Sequence, residues 1–141
     1  MNNKKTFAIL IAGSRHYDNY NEFCEIMNYN LSRVKDFYNI LIIHGGAFGA
    51  DNLANRYANE NSYELKVFSA DWDLYGKSAG YRRNVQMHNF INEFDKRACM
   101  CFWDGQSKGT QHNFKLSNNN KTQLRVYNYI DKKMYSGEEV E

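Results

Sequence analysis

Glycine, hydroxyl and charged side chains gather in four short segments of this chain, and each has the makings of a polar ligand site. In Gly45-Gly46-Ala47-Phe48-Gly49-Ala50-Asp51 an apolar run gives way to glycines and then to a helix-compatible stretch. Gly45 and Gly46 reach backbone angles closed to other residues, and the N–H groups opening the next helix carry partial positive charge, which suits an anion such as phosphate. The spacing is neither the dinucleotide fingerprint nor the Walker pattern, so a ligand loop and a plain strand-to-helix turn both remain open. Asp51 can stabilise the helix start as an ordinary first-turn acid. Equally, it can accept hydrogen bonds from ribose hydroxyls or steady positive charge at an anomeric carbon.

The other three segments read in the same double way. Gly13-Ser14-Arg15 offers a hydroxyl and a guanidinium fork to phosphate or ribose, or is a turn followed by a solvated arginine. Residues 69–84 mix aromatics, acids and bases in a long loop. There Trp72 or Tyr75 can stack on a base, Lys77 and Arg83 can neutralise phosphate, and Asn84 can bond a base edge or the loop itself. The plainer alternative is that Trp72 anchors the loop while the charges are solvated. After Asp104, the residues Ser107, Gly109 and Thr110 can form a second cradle of hydroxyls and amides, with an ordinary N-cap as the alternative for Thr110.

The elements that must position these segments alternate. Residues 6–12 form a continuous apolar run expected of a parallel strand buried on both faces. A helix is expected over 20–37, a strand over 40–43, a helix from about residue 50 to 60, and a strand over 64–68. A helix over 79–94, a strand over 98–103, a helix from about 110 to 118 and a strand over 123–129 complete the pattern. The polar tail 131–141 is expected to fray. Such alternation predicts an α/β, Rossmann-like three-layer sandwich with a mainly parallel sheet of about five strands, forming one domain over 1–130. All four polar segments follow strands, so they should meet at the carboxyl edge of the sheet, where such folds bind ligands.

With 141 residues the chain is long enough for a core without disulfides or metals. A net charge of +2 and no long basic block make nucleic acid an unneeded partner. No run approaches the ~20 apolar residues needed to span a bilayer, and no leader-like segment opens the chain, so a cytoplasmic protein without a membrane partner is expected. The three cysteines, Cys24, Cys99 and Cys101, read as reduced core thiols. His16, His44, His88 and His112 lack metal-ligand spacing, and neither a metal nor another cofactor is expected.

Taken in order, the segments resemble the SLOG superfamily, the Rossmann-like group of the Smf/DprA and LOG proteins, and in particular its YspA-like, YpsA-related branch. The resemblance rests on Gly13-Ser14-Arg15, on Gly45 to Asp51 followed by Leu53-Ala54 and Tyr57-Ala58, and on Ala70-Asp71-Trp72 with Gly76-Lys77 and Ala79-Gly80. Arg83-Asn84 and the run Phe102 to Thr110 complete it, so it spans nearly the whole chain. Ser69 and Tyr81 stand where that branch usually carries proline. The resemblance implies a nucleotide-derived small molecule as partner, of the ADP-ribose, NAD or second-messenger type, and pairing into homodimers. The association of such proteins with biological conflict leaves room for sequestering or destroying an immune nucleotide messenger. Two functions follow as expectations. In the first the chain binds such a ligand. In the second it hydrolyses an N-glycosidic bond as LOG enzymes do, with Asp51, Asp71 and Arg83 as catalytic candidates, although the LOG motif and its downstream glutamate are not reproduced. Smf/DprA-like DNA binding is a weaker third, given the modest charge and no separate recognition domain.

Overall fold

The computed structural model describes residues 3–140. Its strands are β1 (Lys5–Gly13), β2 (Tyr38–His44), β3 (Glu64–Val67), β4 (Lys96–Trp103), β5 (Gln123–Asn128) and β6 (Lys133–Ser136). Its helices are α1 (Tyr20–Leu31), α2 (Ala50–Glu60), the short α3 (Trp72–Tyr75), α4 (Ala79–Ile91) and α5 (Lys108–Asn119). The strands lie in the order β3-β2-β1-β4-β5-β6. All neighbours run parallel except β6, which pairs antiparallel with β5. The expected Rossmann-like sandwich is therefore present, with six strands rather than about five.

Alternation along β1 explains its unbroken apolar run. Ile9 and Ile11 face a core with Phe23 and Met27 of α1 and Ala54 and Tyr57 of α2. Ala8, Leu10 and Ala12 face the opposite core, with Met87 and Ile91 of α4 and Phe114 of α5. A strand that must be apolar on both faces is what two helical layers demand. Among the described residues no helix is long and apolar enough to cross a membrane.

Two expectations are corrected. The first helix stops at Leu31 rather than 37; residues 32–37 instead form tight turns, with Val34 and Lys35 N–H groups donating to Leu31 O. Val34 still packs against the core, which kept the apolar spacing going after the helix itself had ended.

The tail does not fray: residues 133–136 form β6, and Gly137 N–H donates to Leu124 O at 3.1 Å. The strand is held by its antiparallel pairing with β5, from Arg125–Ser136 to Asn128–Lys133, and α1 adds a tie at the turn. Glu22 accepts from Tyr17 Oη at 2.9 Å, Tyr127 Oη at 3.0 Å and Lys132 Nζ at 2.6 Å, so one carboxylate ties the β5–β6 turn to the first helix. Burial alone would raise the Glu22 pKa, but the bonds from Lys132 and the two tyrosines outweigh it and hold the carboxyl below its ordinary value.

Candidate functional site

Successive connections leave β1 and β4 towards opposite ends of the sheet, so their carboxyl ends flank the crevice where such folds take ligands. Ser14 N–H donates to Phe102 O at 2.9 Å, which holds the two strand ends together. Gly13 is required there, because a Cβ would collide with Phe102 O and the Ala50 methyl. Above this floor opens a cavity of about 440 Å³.

The glycine loop is wrapped around side chains of its own chain. Asp51 Oδ2 accepts from Gly45 N–H and from Ala47 N–H, both at 3.1 Å. His44 Nδ1 accepts from Gly46 N–H at 2.9 Å, so its ring proton sits on Nε2 and donates to Asn55 Oδ1 at 2.9 Å. Gly49, at φ 79°, allows the loop to press against the Ser14 and Arg15 backbone, where Ala50 N–H donates to Ser14 O at 3.2 Å. Asp51 thus holds the place an anion would take under the loop. Burial pushes its pKa up, while the Ala47 N–H and the nearby Arg83 pull the other way. Asp51 Oδ1 has no hydrogen-bond partner among the described residues, and Asp51 lines the cavity.

Arg83 stands against the same loop. Its Nη1 donates to Gly45 O at 2.6 Å and its Nε to Asn84 Oδ1 at 3.1 Å, leaving Nη2 without a partner among the described residues. A Cβ at Gly45 would overlap the guanidinium where it stands, so any side chain there would push Arg83 off the loop. Burial lowers the Arg83 pKa, and Asp51 offsets part of that. Arg15 makes neither a hydrogen bond nor an ion pair among the described residues; its guanidinium lies 5.6 Å from the centre of the Trp72 ring. Gly80 lets that ring come close to the first turn of α4, with a Cβ there meeting Trp72 Cη2 at 3.3 Å.

The turn entering α5 has a different economy. Asp104 Oδ1 accepts from Gln106 N–H at 2.9 Å and Ser107 N–H at 2.8 Å, which shapes the turn. Ser107 is the N-cap, and its Oγ accepts from Thr110 Oγ1 at 3.2 Å and, more weakly, from Thr110 N–H at 3.5 Å. Asn84 Nδ2 reaches Gly109 O at 3.3 Å and His112 Nδ1 at 3.2 Å, clamping α4 to α5. The N–H groups of Lys108 and Gly109 have no acceptor among the described residues, as the first turn of a helix leaves them.

Of the residues singled out by sequence, Gly13, Ser14, Arg15, Ala47, Asp51, Trp72, Lys77, Arg83, Asn84, Asp104, Ser107, Gly109 and Thr110 line this one cavity. Gly45 and Gly46 line an adjoining cavity of about 290 Å³. Gly49, Asp71 and Tyr75 line neither. Asp71 instead caps α3, accepting from Leu74 N–H at 3.0 Å, and Tyr75 lies under the Arg82 guanidinium at 4.4 Å. Sequence reasoning missed Ala12, His16, Gly80, Met87 and Asn113 in the lining, and the loop-holding role of His44; Tyr81, which stands in place of a proline, does form part of the cavity wall. Asn113 carried a legible signal, one helical turn beyond Thr110 on the same face. Among the described residues no group of histidines, cysteines and acids is placed to hold a metal ion.

The model of the YspA, cpYpsA-related SLOG family (YAcAr) matches residues 7–75, taking in the first strand, the glycine loop and α3. The chain is 31% identical over 129 residues to the Gene 61 protein of Mycobacterium phage D29, covering 88% of this chain and 97% of that protein. No solved structure matches it. A β1 end, a glycine loop and an α5 turn facing one crevice are thus carried on a sequence that aligns with that phage protein almost end to end, and the chain belongs to the YspA, cpYpsA-related SLOG family.

Proposed function

We propose that this protein binds a nucleotide-derived ligand of the ADP-ribose, NAD or nucleotide second-messenger type, acting as a sensor or a sequestering protein. Family membership supports a nucleotide-related function in general. The observation that carries the finer reading is the distribution of free donors around the cavity: Arg15, Lys77, the Nη2 of Arg83 and the open first turn of α5 all border it. An anion bound there meets cations and unpaired N–H groups together. By contrast, Gly45, Gly46 and Ala47 have committed their N–H groups to Asp51 and His44, so the phosphate seat lies at α5 and the arginines. Asp51 Oδ1, unpaired among the described residues, is suited to accept from a ribose hydroxyl.

The same oxygen favours a second reading, N-glycosidic hydrolysis. A buried carboxylate facing the sugar would steady positive charge developing at the anomeric carbon or orient water, while the arginines position the phosphate. Incubation of the purified protein with AMP, NAD and ADP-ribose separates the two. Intact ligand recovered from the denatured protein supports binding, free base released at catalytic rates supports hydrolysis, and neither outcome with any of the three refutes both.

A further inference from the structure

The helices are shared unequally between the two faces of the sheet. α1 and α2 pack with Ile9 and Ile42, whereas α4 and α5, the crossovers leading to β4 and β5, both pack on the opposite side. On the α1 side β4 and β5 therefore have no helix of their own. Towards their carboxyl ends aromatic rings take that place, Tyr17 stacking on Phe102 and touching Tyr129. Towards their amino ends the face is left open as a groove of about 620 Å³, at the far end of the sheet from the crevice described above.

The lining of this groove divides by chemistry. Ile9, Met27, Leu31, Ala98 and Met100 make an apolar floor, and Arg33 and Arg125 are the charged residues beside it, with no acid in the lining among the described residues. Arg33 makes neither a hydrogen bond nor an ion pair among the described residues. Arg125 Nη1 donates to Leu124 O at 3.2 Å; Glu139, within reach of its charge, forms no ion pair with it and accepts instead from Ser136 N–H at 2.9 Å. Two guanidiniums beside apolar side chains favour a molecule that is apolar at one end and anionic at the other. A carboxylate carries one charge where a phosphate monoester carries close to two, so it loses less on partial burial. The bare strip is also short: from Ala98 to Met100 it runs about 7 Å along β4, against about 11 Å for a two-turn helix, which suits a compact molecule better than a docked helix. We propose that this groove binds a small amphiphilic carboxylate, with its hydrocarbon body on Ala98 and Met100 and its head at Arg33 and Arg125.

Isothermal titration of the full chain with octanoate tests it, beside 1-octanol, which lacks the charge, and propionate, which lacks the chain. Octanoate is expected to bind the wild type at least about tenfold more tightly than either. Arg125→Met keeps an apolar stem and should bring octanoate down to the level of octanol while octanol stays within about twofold. Arg33→Gln, on an exposed turn, should narrow the same gap, and serves alone should Arg125→Met fail to fold by circular dichroism. Ala98→Leu raises the floor and should weaken octanoate and octanol together. The proposal is overturned if the wild type binds no octanoate below about 10 mM, if octanoate and octanol bind alike, if their difference survives the arginine variants, or if Ala98→Leu leaves octanoate binding unmoved. A wild-type dimer in sedimentation that Ala98→Leu dissociates overturns it too, since the groove then belongs to a second copy of the chain.

Discussion

Two turns in this molecule do the same topological job, carrying the chain from the end of a parallel strand into a helix at the edge of one crevice, yet they treat their backbone donors in opposite ways. The turn into α2 folds its N–H groups inward onto Asp51 and His44. The turn into α5 shapes itself with Asp104 and Ser107 and leaves the first helical N–H groups facing outward. Glycine content alone would rank them the other way. A glycine-rich loop permits close approach, but it binds an external anion only if no internal carboxylate has taken the seat. Asp51 closes off the donors of the α2 turn, while the α5 turn keeps its first N–H groups open, which is what the proposed anion seat there needs.

The largest effect should come from removing the internal anion. Asp51→Ala leaves two loop N–H groups without their acceptor and is expected to destabilise the fold by about 2–4 kcal/mol in urea unfolding. Asp51→Asn keeps an acceptor oxygen and should cost far less. The pH dependence of that pair sharpens the point. Because burial raises the Asp51 pKa in the fold, its favourable contribution is full below the ordinary carboxylate range and is lost as pH rises through the elevated value. The stability of Asp51→Asn relative to wild type should therefore climb with pH; a flat difference would mean that ionising Asp51 carries no burial penalty in the fold.

Next in size is the Arg83 guanidinium beside the glycine loop. Arg83→Lys keeps a charge but loses the fork that holds Gly45 O and, in the proposed reading, would grip the phosphate, and ADP affinity is expected to fall roughly thirtyfold by titration calorimetry. A change below about threefold would detach Arg83 from ligand binding.

At the α5 turn a smaller and more selective change is available. Lys108→Pro removes one first-turn N–H at a position where proline suits a helix, and Ser107 already has the extended backbone that a following proline requires, at φ −57° and ψ 116°. Stability should hold within about 1 kcal/mol, while ADP affinity drops several-fold beyond the Lys108→Ala control. Equal affinities for the two variants would close the α5 turn as an anion seat.

The smallest effect concerns the clamp between α4 and α5. Burial lowers the His112 pKa, and its Nδ1 accepts from Asn84. The clamp's contribution is full above the ordinary imidazole value of ~6.5 and is lost as pH falls towards the depressed one. The wild-type thermal midpoint should thus fall more than that of His112→Gln between about pH 7 and about pH 5. Parallel curves would remove His112 from the clamp.

Most of the fold could be read in advance because its signals are local. The apolar run before Gly13, the strand before the glycine loop and the helix expected over 79–94 each announce an element from its own residues. The sixth strand could not, since its four residues, Lys133 to Ser136, carry no apolar run and are placed by antiparallel pairing with β5. The crevice residues were legible as a set because all follow strands, and parallel strands end at one edge. Their donors were not. Nothing in Gly45-Gly46-Ala47 says that Asp51 will curl back beneath it, and nothing in Asp71 says that its carboxylate will cap α3 rather than face the ligand.

Backbone amide shifts in a titration with ADP test the central claim most directly, because they report each turn separately. The N–H signals of Lys108 and Gly109 should move with saturation while those of Gly45, Gly46 and Ala47 stay near their starting positions. If the three loop amides move as the main response and the α5 amides do not, the ligand has displaced Asp51, and the seat of the anion is the glycine loop after all.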